Sequence, residues 1–195
     1  YRADGAFGQF CIIIPDKNIA IIATSQKTKT ERFLEMINKH LINAASDKDD
    51  ISQKQLNEYL SELTFPFPVI NGIRNKIPQC TYNIEANELN IKTIRFSDKR
   101  LLFVFSDGIQ DGIDIDFTQF VYGKSHFIKD IQVHLQEHCV FARWENANTL
   151  LITIYYIETP YVGEYKFQFV DGKVIFTFNI NVSMTLKGFT VVGRE

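Results

Sequence analysis

Little in this sequence speaks for a charged partner, a membrane or a disulfide scaffold. Its 195 residues set 21 Lys and Arg against 23 Asp and Glu, a formal net charge of -2 with the 4 His neutral. That balance excludes the basic footprint of a nucleic-acid binder or of a protein held to an anionic membrane by charge. Apolar runs stop far short of the roughly 18 residues that mark a spanning helix, so no membrane span is expected. The 3 cysteines, Cys11, Cys80 and Cys139, are odd in number and widely spaced. They read as buried free thiols in a reducing, cytoplasm-like compartment rather than as a disulfide framework. Catalytic signatures are missing too. No Ser-x-x-Lys, Tyr-x-Asn or Gly-x-Ser-x-Gly occurs, and these are the spacings that place a base beside a serine nucleophile. No cofactor motif, internal repeat or low-complexity segment is present. Tyr1 stands first in place of Met, within a few residues of an apolar strand, and implies a fragment that leaves localisation open.

Apolar and aromatic side chains are what the sequence has in quantity. The hydrophobic fraction is 45%, with 17 Phe and 8 Tyr among an aromatic fraction of 13%. Aromatic residues fit the half-buried, pleated surface of a sheet, and the bias predicts β structure. Phe10 to Ile14 and Ile19 to Ala23 form a predicted hairpin around the turn cluster Pro15-Asp16-Lys17-Asn18. Neither strand alternates apolar with polar, as in a sheet covered on both faces, but this chain supplies too little to cover both, so one face should be left exposed. A helix should follow, with Thr28 and Glu31 at capping-box spacing and Phe33, Leu34, Ile37, Leu41 and Ala44 on one face. Ser46 to Asp50 reads as a charged linker. A second helix is expected with Ser52 and Gln55 as its capping box and Ile51 and Leu56 as a hydrophobic staple. Leu56, Tyr59, Leu60 and Leu63 make its stripe, and Phe65-Pro66-Phe67-Pro68 should end it.

From about Cys80 the period changes to two. Strands are predicted around Leu89–Ile91, Ile94–Phe96, Leu101–Phe105, Ile109–Phe117, Phe127–Val133, Cys139–Trp144 and Leu150–Ile157. Tyr165-Phe167-Phe169 and Val174-Phe176-Phe178-Ile180-Val182 alternate most cleanly, and Phe189–Val192 comes last. Asp107-Gly108, Asp111-Gly112 and Asp171-Gly172 read as hairpin turns. Some eight to ten short strands at this spacing predict an antiparallel barrel or sandwich.

Ala3-Asp4-Gly5-Ala6-Phe7-Gly8-Gln9, the Ile-rich strand, Pro15-Asp16-Lys17-Asn18 and the second strand form one block. It resembles the end of the catalytic domain in serine β-lactamase-related, penicillin-binding-protein-like hydrolases, over about the first quarter of the chain. The resemblance implies an acyl-enzyme hydrolase of amides, esters or β-lactams as the parent, whose nucleophile lies upstream. It also implies a substrate-cleft edge at Gly5, Gly8 and Gln9. Gly5 matches the glycine of the family's Lys/His-x-Gly motif, and Ala3 replaces the basic residue, with Tyr1 and Arg2 beside it. The later strands, with Tyr82, Asn87, Leu89 and Ile91, resemble the C-terminal domains appended to some bacterial members.

Three clusters invite a site. His134 and His138, four apart with Cys139 beside them, suggest zinc, but Ile131, Val133 and Leu135 alternate as a strand does and no third ligand is spaced to help. Asp107, Asp111, Asp114 and Asp116 around two glycines suggest calcium, but their order is not that of an EF-hand loop. Strand-face acids alternating with Ile113 and Ile115 account for them equally. Aromatic side chains either line a ligand pocket or fill a barrel. Trp144 with Arg143, and Tyr155-Tyr156, are the candidate exposed aromatics. Cys11 has no basic neighbour and reads as inert core.

The expectation is a mainly β chain in three parts. Residues 1–45 are the terminal strand–turn–strand–helix of a β-lactamase-like domain, 46–68 a helical linker, and 69–195 an antiparallel barrel or sandwich. No metal or cofactor is expected, and the catalytic set is incomplete. The β part would act as an accessory module for substrate access or assembly, as a binder of a small ligand or cell-wall polymer, or as a structural, oligomerising unit. Its partners would be the upstream catalytic domain and, through the exposed hairpin sheet, a second copy.

Overall fold

Alternation decides most of this fold. Tyr165, Phe167 and Phe169, and after a turn Val174, Phe176, Phe178 and Ile180, stand at every second position, and the intervening Lys166, Gln168 and Thr177 face outward, as a strand with one buried face requires. The computed structural model describes residues 1–26, 29–42, 50–63, 72–129 and 132–195. The chain divides into two compact units, Tyr1–Phe67 and Pro68–Glu195.

In the first unit, β1 (Arg2–Gly5), β2 (Gln9–Ile14) and β3 (Ile19–Ala23) form an antiparallel sheet in the order β1-β2-β3. A 3₁₀ turn, Pro15–Lys17, joins β2 to β3, and Asn18 closes it in the left-handed region at φ 53°, which Asn tolerates better than most residues. Helix α1 (Thr30–Ile37) continues into a π-helical turn, Asn38–Ile42. Phe10, Ile12 and Ile37 are buried together, with Ile14, Ile21, Ala23, Phe33, Leu34 and Ile42 packed around them. The face that the chain is expected to leave uncovered is exposed. Only the Phe10 and Ile12 side of β2 is buried; Cys11 is exposed and so is Ile22, at 78%. One helix covers one face of a sheet, so Cys11 is not a core thiol. Leu41 also departs from its predicted stripe and is half-exposed. Thr28, Ala44, the 46–49 linker, the 65–68 proline segment and the side chain of Ile51 lie outside the described residues.

Helix α2 (Asp50–Glu62) begins two residues before Ser52, which therefore sits in the first turn rather than at the cap. Its predicted stripe of Leu56, Tyr59, Leu60 and Leu63 is exposed rather than buried.

The second unit holds β4 (Thr81–Ile84), β5 (Ile91–Ser97), β6 (Arg100–Phe105), β7 (Gln110–Asp114) and β8 (Val121–Lys129). They are followed by β9 (Gln132–Asn146), β10 (Thr149–Tyr156), β11 (Val162–Val170), β12 (Lys173–Ile180) and β13 (Phe189–Arg194). All neighbours pair antiparallel, in the order β7-β6-β5-β4-β13-β12-β11-β10-β9-β8. The two ends of that order, β7 and β8, come back alongside one another, so the sheet curls into a nearly closed barrel. The predicted strand Phe127–Val133 is in fact the end of β8 and the start of β9. Asp107-Gly108 and Asp171-Gly172 are turns, with Gly108 at φ 89° and the Asp171-Gly172 pair both at positive φ, as a type I′ hairpin demands. Asp111-Gly112 is no turn but lies within β7.

The interior is largely aromatic. Phe167 and Phe176, both fully buried, stack across β11 and β12 with centroids 5.0 Å apart, and Phe96 meets Phe167 edge-on at 5.0 Å. Such pairs add about 0.5–1.5 kcal/mol to their burial. Trp144 and Tyr156, candidate surface aromatics in the sequence, are buried at 2% and 3% exposure because their register places them on the inward side of β9 and β10. Cys139 and Phe141 face the other way, where Phe120 covers them. This doubly covered stretch explains the unbroken apolar run Cys139-Val140-Phe141-Ala142.

Phe167→Ala should therefore cost about 3–5 kcal/mol, the range for a buried aromatic truncation. Urea unfolding followed by near-ultraviolet circular dichroism checks this; a loss under about 1 kcal/mol is incompatible with a filled interior at Phe167.

Candidate functional site

The barrel is not filled throughout. Toward the β7–β8 side lies a hollow of about 350 Å³ lined by Leu89, Asn90, Ile91, Phe103, Phe105, Asp107, Ile109, Asp111, Ile113, Ser125, His126, Phe127, Ile128, Val133, Tyr156 and Tyr165. Ile109 and Val133 are exposed at 37% and 64%, so the space reaches solvent past them. A volume above roughly 300 Å³ with mainly apolar walls and a few polar groups is the ordinary form of a small-molecule site.

The polar groups arise from three places in the sheet. Asp111 pairs with Phe103 of β6 and shares its inward direction, leaving the carboxylate 5% exposed. It accepts the backbone N–H of His126 on Oδ2 at 2.8 Å and pairs with His126 Nδ1 through Oδ1 at 2.7 Å. No ladder joins β7 to β8, and this two-point contact takes the place of one. On β8, Ser125 points inward and its Oγ lies 2.8 Å from His138 Nδ1. The Tyr156 hydroxyl is 3.2 Å from that of Tyr165. Two buried hydrogen-bonded pairs, Ser125–His138 and Tyr156–Tyr165, thus face inward, and Phe127 stacks on Tyr156 at 4.1 Å.

Burial shapes the protonation of this cluster. It holds His138 below its ordinary value of 6.5, against the opposing pull of Asp111 and Asp114. Burial likewise pushes both phenols up, Tyr156 furthest, so they stay protonated and able to donate. Gly123 sits directly across from His138, and a Cβ there would stand 2.9 Å from His138 Nε2. The imidazole is accommodated because that position carries no side chain.

The sequence-predicted sites fare unevenly. His138 lies inside the barrel, while His134 is exposed further along β9; among the described residues no three His, Cys, Asp or Glu side chains group as metal ligands. The four aspartates are dispersed. Asp107 accepts the Ile109 N–H, Asp114 pairs with Arg100, and Asp116 holds Thr118 through its N–H and hydroxyl. Asp111 is the one that turns inward, contrary to the solvent-facing alternative. In the first unit, Gly5 pairs with Gln9, and Gly8 takes φ 85° at the β1–β2 turn, where Ser25 Oγ donates to the carbonyls of Phe7 and Gly8. Ser125, His126 and Tyr165 were missed as site residues. The signal available for them was a polar pair interrupting the β8 pattern just before Phe127.

A second hollow, of about 340 Å³, lies among Ile73, Asn75, Lys99, Asp116 and Trp144, where Asp116 is already engaged by Thr118 and Lys99. No family model matches the chain, and no curated protein or solved structure matches it.

Two outcomes are expected. Asp111→Ala should destabilise the barrel by about 1.5–3 kcal/mol, the worth of hydrogen bonds to a charged group, measured by urea unfolding. The second concerns pH. Because burial lowers the His138 pKa in the fold, the unfolded chain takes up its proton first as pH falls below about 6.5, so stability present above that value is lost on acidification. As pH falls below about 6.5 the native protein should lose more stability than His138→Gln; parallel pH profiles would contradict this.

Proposed function

We propose that the barrel is a non-catalytic binding module for a small, mainly apolar ligand held in the hollow between β7 and β8. The observation that carries this reading is the 350 Å³ space itself, with apolar walls and one polar end. A structural barrel has no use for such a gap, since voids in a core cost stability. Polar groups of Asp111, Ser125, His126, Tyr156 and Tyr165 among the lining residues supply orientation, and the walls supply affinity. Extended polymer binding is less well supported, because the lining residues enclose a space rather than a groove.

The first unit supports a second, compatible reading. Its three strands bury one face on α1 and leave Cys11, Ile13 and Ile22 exposed on the other. A sheet this small with one bare apolar face suits a fragment of a larger layered domain. Together with the resemblance of its first residues, this favours the edge of a β-lactamase-like hydrolase, with Gly5, Gly8 and Gln9 at the cleft. The barrel would then serve that enzyme as an accessory module. The chain by itself should leave a chromogenic ester and a chromogenic β-lactam uncleaved; turnover of either would overturn the non-catalytic reading.

For the barrel, a fluorescent apolar probe such as an anilinonaphthalene sulfonamide should bind saturably with micromolar affinity. Val133→Trp, placed at an exposed position of the mouth, should reduce that binding about tenfold without lowering thermal stability, a difference of about 1.4 kcal/mol. Equal binding by native protein and Val133→Trp would place the probe elsewhere and sink the assignment.

A further inference from the structure

The charge around the hollow is one-sided. Asp107 and Asp111 are among its lining residues, and neither Lys nor Arg is. On β6 and β8, strands that supply lining residues, Arg100 pairs with Asp114, Lys124 with Glu137 and Lys129 with Glu158. Acceptors are in surplus as well. The Asp111 carboxylate takes two bonds from His126, while an ionised carboxylate offers about four acceptor positions. Aromatic faces from Phe127, Tyr156 and Tyr165 complete the polar end, and ring faces attract cations.

An anionic head group entering this space would give up water beside the buried Asp111, whose ring partner is His126, and the exposed Asp107, with no Lys or Arg among the lining residues to receive it. An ammonium head would exchange water for carboxylate oxygens and ring faces. We infer that the hollow selects an apolar ligand bearing a cationic, amine-type head group and rejects fatty-acid-like carboxylates. The inference rests on the ligand-binding reading of the barrel and adds the chemical class of what binds.

Three ligands of one chain length and different head separate the two. Hexylamine, hexanol and hexanoate would be titrated into the full chain by calorimetry, at about pH 7.5 and about 0.15 M salt, where exposed charges are screened beyond roughly 8 Å. Hexylamine is expected to bind at least about tenfold more tightly than hexanoate, with hexanol between, as pairing against repulsion of one charge predicts. Asp107→Asn should shrink that preference several-fold and leave hexanol unchanged. Asp111→Asn should shrink it further where circular dichroism shows it folded, and Asp107→Asn carries the test where it is not. Equal binding of all three, or tighter hexanoate, overturns the head-group class while leaving the hollow a binding site. Failure of all three to bind overturns the pocket as well.

Discussion

One carboxylate governs how this barrel ends. A sheet that begins at β7 and finishes at β8 has two free edges, and free edges recruit foreign strands unless they are paired or covered. Here they meet, but not by main-chain ladder. Asp111 reaches inward and across and holds both the N–H and the imidazole of His126. A side chain spans more distance than a backbone hydrogen bond, so strands joined this way stand further apart than the roughly 4.8 Å of a ladder. The interior widens at the same place. Closure and cavity are thus two results of one substitution, a side-chain clasp for a β-ladder.

The aromatic interior sets where that widening is tolerated. Phe96, Phe167 and Phe176 interlock near β5, β11 and β12, where large rings meet ring faces and leave no room. Across the barrel, β8 and β9 turn smaller polar groups inward: Ser125, Gln136 and His138, each no more than 2% exposed. Buried polar groups are stabilised by hydrogen bonding: Ser125 meets His138, and Gln136 donates Nε2–H to the Ile128 carbonyl. The Gly123 position belongs to the same arrangement, since any Cβ there would press on the His138 ring. One wall is therefore packed for stability and the opposite wall organised around hydrogen bonds.

Much of this was legible in the residues and some was not, for identifiable reasons. The clean alternation from Tyr165 to Ile180 reports one inward face and one solvent face, and it marks β11 and β12 directly. Trp144 and Tyr156 are only candidate surface aromatics in the sequence, because their neighbours Arg143 and Tyr155 disguise which parity points inward. Asp111-Gly112 read as a turn because the dipeptide is the usual hairpin signal; what decides its place is the pairing of Gly112 with Leu102, a fact of long range. At Gly112 the absent side chain leaves room for the Arg100 guanidinium rather than permitting a turn. The site was hidden for a related cause. Its members come from β7, β8, β9, β10 and β11, and only the strand order brings Asp111 to His126. On β2, the Ile run promised two covered faces but could not say what would supply the second cover.

Ser125, His138 and a nearby aspartate invite comparison with a catalytic triad, and the geometry argues against it. A triad needs the base to touch the nucleophile with one ring nitrogen and to be oriented by a third group through the other. His138 meets Ser125 through Nδ1, while its Nε2 abuts Gly123, with no carboxylate bonded to it among the described residues. Asp111 is committed to His126 instead. Burial keeps the Tyr156 phenol protonated. Ser125 and His138 therefore hold one another in place without the third group that orients a triad's base.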